Sequence, residues 1–225
     1  MFTRLAEKFI EEKDFVKAEE ILDLSVEKLP IKMYKHYSLA LGIIESYYKI
    51  NKPEKAKKIS NELITIFKDN LRYYVSLDED EREYFYDDAE TDMLMYGSII
   101  DAAATGDKTY AEEIIDSALE TIPFDIYAKE GISLTAIESY YTIGKPEKAH
   151  SLSLKLIESY DKELTDFSNA ISGVKNISSY FNNIKPTVEF YQYVMNESET
   201  KDTVFYQELR KGYDEAFKML EKAMD

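Results

Sequence analysis

The hydrophobic residues of this chain recur at intervals of three and four positions along much of its length. In the first stretch, Phe2, Leu5, Ala6, Phe9 and Ile10 fall on one side of a helix, with charged residues between them. Such a stripe predicts an amphipathic α-helix that buries one face. No segment alternates apolar and polar residues between turn signals, so the pattern predicts an all-α fold without a sheet.

Turn signals divide this pattern into separate helices. Asp14 is placed to cap one helix, Pro30 to end it, and Pro53 to stand in the first turn of a later one. The predicted helices cover about 2–12, 15–28, 33–50, 53–67, 71–77, 93–104, 109–120, 127–143, 146–160, 164–182, 186–195 and 200–224. The last is predicted to bury a face that begins with Val204. Asp78–Asp92, the most acidic stretch, is predicted to be a solvated linker.

Part of the sequence occurs twice. Ile44–Ala56 returns as Ile137–Ala149, 93 residues further along, and eleven of the thirteen residues are identical. The same spacing relates Ala18–Leu22 to Ala111–Ile115, Pro30 to Pro123, Tyr34 to Tyr127 and Leu71 to Leu164. A constant spacing over this length indicates an internal duplication. We therefore predict a first repeat unit at 1–92, a second at 93–185, and C-terminal capping helices at 186–225.

The composition excludes several classes of function. The chain has 44 Asp and Glu against 28 Lys and Arg, a net charge of −16, whereas nucleic-acid binding needs clustered cations. There is no cysteine, which excludes disulfides, thiolate zinc sites and cysteine nucleophiles. No apolar run reaches the roughly 18 residues of a membrane-spanning helix, so we predict that this chain does not span a membrane.

Helix pairs that repeat along a chain are typical of a helical solenoid. The positions that carry a further likeness are Leu5, Ala6, Phe9, Asp14, Phe15, Ala18 and Pro30, then Tyr47, Asn51 and Ala56, then Gly106, Ala111 and Pro123, then Tyr140, Gly144 and Ala149. Through these residues the chain resembles tetratricopeptide repeats. The resemblance implies a tetratricopeptide-like solenoid of helical hairpins, in which Ala56 and Ala149 lie where two helices cross closely.

The chain departs from that repeat in two ways. Ile44, Ile99 and Ile137 stand where the repeat has a small residue, so we expect those helix pairs to be splayed. Ala18 and Ala56 are 38 residues apart, as are Ala111 and Ala149, which is longer than the usual period of the repeat. We therefore expect an irregular array.

A second resemblance covers about residues 1–125, and its most particular feature is Tyr73–Leu77 followed by the acidic stretch. This part resembles the soluble C-terminal tail of bacterial multi-pass inner-membrane proteins related to protein O-mannosyltransferases. The resemblance implies a periplasmic tail of a glycosyltransferase-like protein, and it carries no catalytic residue onto this chain. We expect the chain itself not to be an enzyme, although a parent membrane protein could be one. The alternatives are a free-standing cytosolic repeat adaptor and an enzyme with an active site in its groove.

In tetratricopeptide hairpins the first helix lines the concave side. The resemblance therefore implies that the binding groove is lined by Glu7, Ile10, Glu45, Tyr48, Glu138 and Tyr141. Carboxylates beside tyrosines suit a protein or peptide partner that carries lysine, or a glycan. The alternative is that these glutamates are ordinary solvated charges, and that the tyrosine doublets only hold the hairpins together.

The candidate metal ligands are few. His36 and His150 are not at equivalent places in the duplication. Asp78–Asp92 lacks the glycine that a calcium loop of the EF-hand type needs at its sharp turn. We therefore predict no metal site, no cofactor and no catalytic residue.

Overall fold

A computed structural model describes residues 2–31, 37–171 and 178–224. Within these ranges the chain forms α-helices and no strand, which confirms the all-α prediction. The helices are α1 Phe2–Glu11, α2 Phe15–Lys28, α3 Tyr37–Lys49, α4 Pro53–Ser76, α5 Glu79–Gly106, α6 Lys108–Thr121, α7 Phe124–Tyr127, α8 Gly131–Ile143, α9 Pro146–Ile171, α10 Ser178–Glu199 and α11 Thr203–Met224. They form two compact units, Met1–Thr135 and Ala136–Asp225. His36 lies outside the described residues, as does the beginning of the predicted third helix.

In the first unit, helices that follow one another along the chain pack together. α1 contacts α2, α3 contacts α4, and α5 contacts α6, while α5 also lies against both α3 and α4. The apolar stripes meet between these helices. Fully buried residues of this core include Ala18, Ile44, Ala56, Phe67, Tyr96, Ile99 and Ala111.

In the second unit, α9 packs against both α10 and α11, and these two pack against each other. Its core includes Ala149, Leu156, Tyr160, Tyr191 and Val194. Both alanines of the duplicated segment, Ala56 and Ala149, are therefore buried, as the sequence predicted.

Three of the short connections between helices use the same turn. Lys13, Asn51 and Gly144 each have a positive φ, of 60°, 58° and 82°. After each of them the next residue donates its N–H five residues back, for example Asp14 to the carbonyl of Phe9 at 2.8 Å. This is the Schellman arrangement, which closes the end of a helix and favours glycine at the positive φ.

We expect an exchange of residues in this turn to change stability in opposite directions. Lys13→Gly should raise the free energy of unfolding, and Gly144→Lys should lower it, each by about 1 kcal/mol, because a side chain disfavours the left-handed conformation. Nothing lies within 4 Å of a Cβ added at Gly144, so the effect there is one of backbone conformation alone. Urea denaturation followed by circular dichroism measures both changes. Effects of equal sign would contradict the shared turn.

The prediction that Asp78–Asp92 is a linker is wrong, because these residues form the first half of α5. The side chain of Asp78 caps the helix by accepting the N–H of Glu81 at 2.9 Å. Acidic residues in a first turn also interact favourably with the positive end of the helix dipole. Arg82 ties the start of α5 to the end of α4, since its guanidinium donates to the carbonyls of Val75 and Leu77. An acidic sequence is thus compatible with a helix that begins with its acids.

Other predicted boundaries also need correction. α4 continues to Ser76 instead of ending near Phe67, because Leu71 and Tyr74 extend its buried stripe. The predicted helix 127–143 is interrupted, since α7 ends at Tyr127 and α8 begins at Gly131. The carbonyl of Glu130 accepts both the N–H and the hydroxyl of Ser133 in the first turn of α8.

The C-terminal helices were also placed imperfectly. α9 extends to Ile171, and the next six residues of the predicted helix 164–182 lie outside the described residues. α10 begins at Ser178, eight residues before Pro186, which therefore lies inside it. Val204 is 82% exposed, because α11 buries Phe205 and Leu209 instead.

Contacts in the structure extend the duplication beyond the point where sequence identity ends. With a spacing of 95 residues, α10 and α11 repeat the buried positions of α5 and α6 at Ala89 and Ile184, Asp92 and Thr187, Tyr96 and Tyr191, Ile99 and Val194, Ala103 and Ser198, and Ile114 and Leu209. A hydrogen bond is repeated as well. Asn70 donates to Asp92 at 2.8 Å, and Thr187 donates to Glu163, the equivalent of Asn70, at 2.6 Å. The helices α10–α11 therefore occupy, against α9, the place that α5–α6 occupy against α4.

Candidate functional site

An open cavity of about 510 Å³ lies between α3 and α5 in the first unit, and we call it the α3–α5 cavity. It is lined by Glu45, Tyr48, Lys49, Ser98, Asp101, Ala102, Thr105 and Gly106. Two of the predicted groove residues, Glu45 and Tyr48, thus line one cavity. The other six lining residues were not predicted. Five of them belong to α5, and only the fold shows that α5 packs against α3.

Tyr48 forms one wall of this cavity. Its ring lies directly against Gly106, where an added Cβ would overlap the ring atoms. Its hydroxyl is buried without a hydrogen-bond partner. Burial, reinforced by the nearby carboxylates of Asp107 and Glu54, raises the pKa of Tyr48 to about 12. At neutral pH this wall is therefore an uncharged aromatic ring. The ring fits against α5 because Gly106 has no side chain.

Asp107 fixes the corner behind Tyr48. Its side chain caps α6 by accepting the N–H of Tyr110 at 3.1 Å, and it pairs with the ammonium of Lys57 at 2.7 Å. The same ammonium lies 5.4 Å from the centre of the Tyr110 ring. Burial acts to raise the pKa of Asp107, but the hydrogen bonds from Lys57 and from the backbone of Tyr110 outweigh it, so that the pKa is lowered. At neutral pH the corner therefore contains an ion pair between Asp107 and Lys57.

The second unit repeats this corner with other residues. Asp202 caps α11 by accepting the N–H of Phe205 at 3.0 Å, and its carboxylate lies 3.2 Å from Nε2 of His150, the equivalent of Lys57. The imidazole stacks on the Phe205 ring with 3.9 Å between ring centres. His150 is therefore a packing residue of this corner, next to Tyr141 at 5.8 Å between ring centres.

The predicted residues Glu138 and Tyr141 meet the chain itself. The hydroxyl of Tyr141 donates to Ser198 at 3.3 Å. The ammonium of Lys201 lies 5.7 Å from the centre of the Tyr141 ring and 3.6 Å from a carboxylate oxygen of Glu138. Glu197 supplies a second carboxylate, 3.7 Å from the same ammonium. In this unit a lysine of the protein fills the surface that the resemblance assigned to a partner.

Glu7 and Ile10 do not join either group. Both lie on α1, Glu7 exposed and Ile10 half-buried, and neither lines the α3–α5 cavity. The six predicted residues therefore separate into one open pair, one occupied pair and two positions on α1. A partner that binds Glu7 or Ile10 on α1 would therefore contact a surface of this chain outside the α3–α5 cavity.

A second cavity, of about 390 Å³, lies between the end of α4 and the start of α5. Its lining comprises Tyr37, Asn70, Tyr73, Tyr74, Phe85, Asp88, Ala89, Thr91 and Asp92. It therefore includes part of the Tyr73–Leu77 segment. Burial raises the pKa of Asp92, with Asp88 adding to the effect and the hydrogen bond from Asn70 partly opposing it. In the same unit burial also raises the pKa of Glu130, which accepts a hydrogen bond from Tyr86 at 3.1 Å.

These buried acids predict a dependence of stability on pH. A carboxyl group whose pKa is higher in the folded state binds its proton more tightly when folded, so its stabilising contribution is present at low pH and is lost as the pH rises through the folded pKa. We expect Asp92→Asn to raise the free energy of unfolding at pH 8 and to flatten its decline as the pH rises above about 4, the ordinary pKa of a carboxyl group.

Chemical denaturation at a series of pH values measures this effect. Asp87→Asn, at an exposed position in the interior of the same helix, is the matched control for the loss of one negative charge from a chain of net charge −16. If both variants changed the pH profile equally, general charge repulsion would account for it, and the buried acid would not.

Within the described ranges, no group of three or more His, Asp or Glu side chains is arranged to hold a metal ion. None of the described helices combines the length and the apolar character needed to cross a membrane. No protein-family model, no curated protein and no solved structure matches this chain.

Proposed function

We propose that this chain is a protein-binding helical scaffold of tetratricopeptide-like architecture, and that it holds a segment of its partner in the α3–α5 cavity. One observation carries the proposal. The place beside Tyr141 and Glu138 is filled by the protein's own Lys201, whereas the equivalent place beside Tyr48 and Glu45 is an open cavity. Its volume of about 510 Å³ is within the range of roughly 300–1,000 Å³ that ligand sites occupy.

The arrangement suits binding rather than chemistry. Glu45 and Asp101 line the cavity together with two hydroxyl groups, those of Ser98 and Thr105, and one aromatic ring. This set can hold a polar segment by charge and hydrogen bonds. It contains no histidine or cysteine that would act as a nucleophile or a proton shuttle near neutral pH. The proposed function is therefore recognition, with no reaction assigned to this chain.

The proposal is tested by site-specific photo-crosslinking in cells. Lys49 lies at the edge of the cavity, and Thr142 is its equivalent in the second copy, where Lys201 is already in place. A photo-reactive phenylalanine analogue at position 49 should crosslink a partner that the same analogue at position 142 does not. The crosslinked protein is identified by mass spectrometry, purified, and its affinity measured for the whole chain.

The purified partner then separates specific binding from adventitious capture. We expect Tyr48→Ala to weaken its binding by about 1–2 kcal/mol, the scale of an interface aromatic residue. We expect Glu45→Gln mainly to slow association and to reduce its salt dependence. Normal binding by both variants, with their folds intact, would remove the α3–α5 cavity from the proposal.

We further propose that the scaffold is the periplasmic tail of a glycosyltransferase-like membrane protein. The support is the resemblance carried by Tyr73–Leu77 and the acidic residues that follow it. The test is cell fractionation with an antibody against this chain. Recovery with the inner membrane, together with digestion by protease added to spheroplasts, is the expected result. Recovery in the cytosol would replace this proposal with that of a free-standing adaptor.

A further inference from the structure

The second copy shows which chemical group the arrangement of a glutamate and a tyrosine accepts. Lys201 reaches from the turn between α10 and α11 and places its ammonium 3.6 Å from Glu138, 3.7 Å from Glu197 and 5.7 Å from the ring centre of Tyr141. A lysine ammonium attracts carboxylates by charge and an aromatic ring by its quadrupole, so both contacts act on the same group. This is a lysine site formed within the chain.

The first copy keeps two of the three receiving residues and lacks the lysine, since Ala102 stands in the place of Glu197 at the spacing of 95 residues. Glu45 and Tyr48 are the equivalents of Glu138 and Tyr141 at the spacing of 93 residues. At the spacing of 95 residues that α5 and α10 share, Lys201 corresponds to Gly106. The replacement of a lysine by a glycine removes both a long side chain and a positive charge from this place. The Tyr48 ring lies where a side chain at Gly106 would begin, and the α3–α5 cavity is open beside this ring.

We propose that the α3–α5 cavity binds the ammonium group of a lysine side chain that a partner protein presents, with Glu45 as the counter-charge and Tyr48 as the wall. This inference rests on the proposed function, since it names the chemistry of the segment that the scaffold receives. The partner's lysine takes the role that Lys201 has in the second copy.

The charges around the cavity agree with this occupant. Glu45 is exposed, lines the cavity and forms no ion pair with another described residue. Lys49 also lines the cavity, but it is exposed and its long side chain can direct its charge to solvent. The net charge of −16 attracts cationic segments over a longer range, and it repels acidic ones.

The test uses the whole chain and a blocked three-residue peptide with one lysine between two glycines. The control peptide carries Nε-acetyllysine, which has nearly the same shape and no charge. Two-dimensional NMR of the isotope-labelled chain follows both titrations. We expect the lysine peptide to cause saturable shifts at Tyr48, Ser98 and Ala102, and the acetylated peptide to cause none at equal concentration. Equal shifts with both peptides would overturn the proposal.

Matched variants separate a defined site from general attraction to an acidic protein. Glu45→Gln should weaken binding of the lysine peptide about threefold to fivefold, the scale of a partly exposed ion pair. Glu138→Gln removes the same charge from the second copy and should leave the affinity unchanged. Equal weakening by the two variants would overturn the proposal, because it would show that only total charge matters.

A further variant should create a site. Lys201→Ala removes the resident lysine from the exposed turn after α10, so the lysine peptide should then shift the resonances of Tyr141 and Thr142 as well. Failure to gain these shifts would overturn the equivalence on which the proposal depends. If crosslinking identifies a partner at position 49 but the peptide does not bind, the scaffold stands and the lysine proposal fails. If the peptide binds and no partner is crosslinked, the cavity chemistry stands and the proposed function fails.

Discussion

Replacing Tyr96 with alanine is expected to lower the free energy of unfolding by about 3–5 kcal/mol, the cost of removing a large aromatic side chain from a packed core. The ring of Tyr96 is 0% exposed, and its hydroxyl donates to the carbonyl of Ile114 at 3.3 Å, which joins α5 to α6. Burial holds its pKa far above the usual value for tyrosine, so the side chain stays neutral. The substitution removes both the volume and the hydrogen bond, and leaves a cavity between α5 and its neighbours.

The duplication supplies a second copy of this experiment. Tyr191 occupies the equivalent place in α10 with 0% exposure, so Tyr191→Ala should cost a similar amount in the second unit. Tyr84→Ala is the control in α5, because Tyr84 is 86% exposed and its loss should change stability by less than about 0.5 kcal/mol.

Guanidinium denaturation followed by circular dichroism and tyrosine fluorescence measures all three variants. If the two units unfold in separate transitions, Tyr96→Ala should shift one and Tyr191→Ala the other. A Tyr96→Ala variant as stable as Tyr84→Ala would contradict the placement of α5 in the core.

Local features of the sequence were sufficient to predict the all-α fold class and the ends of several helices. Asp14 caps α2 and Pro53 begins α4, as predicted, since each depends on residues within one turn. The acidic half of α5 was missed because density of negative charge was interpreted as solvation. What decides the conformation is the place of the acids: Asp78 is the cap and the next three acids lie in the first turn.

The candidate site was predictable only in part. Glu45 and Tyr48 lie in the segment that recurs almost unchanged, so the likeness to a repeat pointed to them. The opposite wall could not be found in this way, because the spacing changes from 93 to 95 residues after α9 and the equivalent residues differ. Gly106 corresponds to Lys201, and nothing in either residue type indicates a shared position. The equivalence of the two corners is seen only in their contacts, in particular those that Asp107 makes with Lys57 and Asp202 with His150.

Replacing Ala149 with leucine is expected to lower the free energy of unfolding by about 1–3 kcal/mol through overpacking. Ala149 is 0% exposed and lies in the first turn of α9, shortly after the Gly144 turn. Three added carbons at this point must displace a neighbouring helix or distort a rotamer.

Two further variants decide whether the cost comes from that place. Ala56→Leu makes the same change at the equivalent position of α4, also 0% exposed, and should cost a similar amount in the first unit. Ala170→Leu lies on the exposed side of α9 near its end, and should be nearly neutral, because leucine and alanine are both strong helix formers. Thermal melts and urea denaturation give the comparison. If Ala149→Leu and Ala170→Leu melted together with the parent chain, the close packing around Ala149 would be refuted, and with it the common role of the two alanines in the duplicated segment.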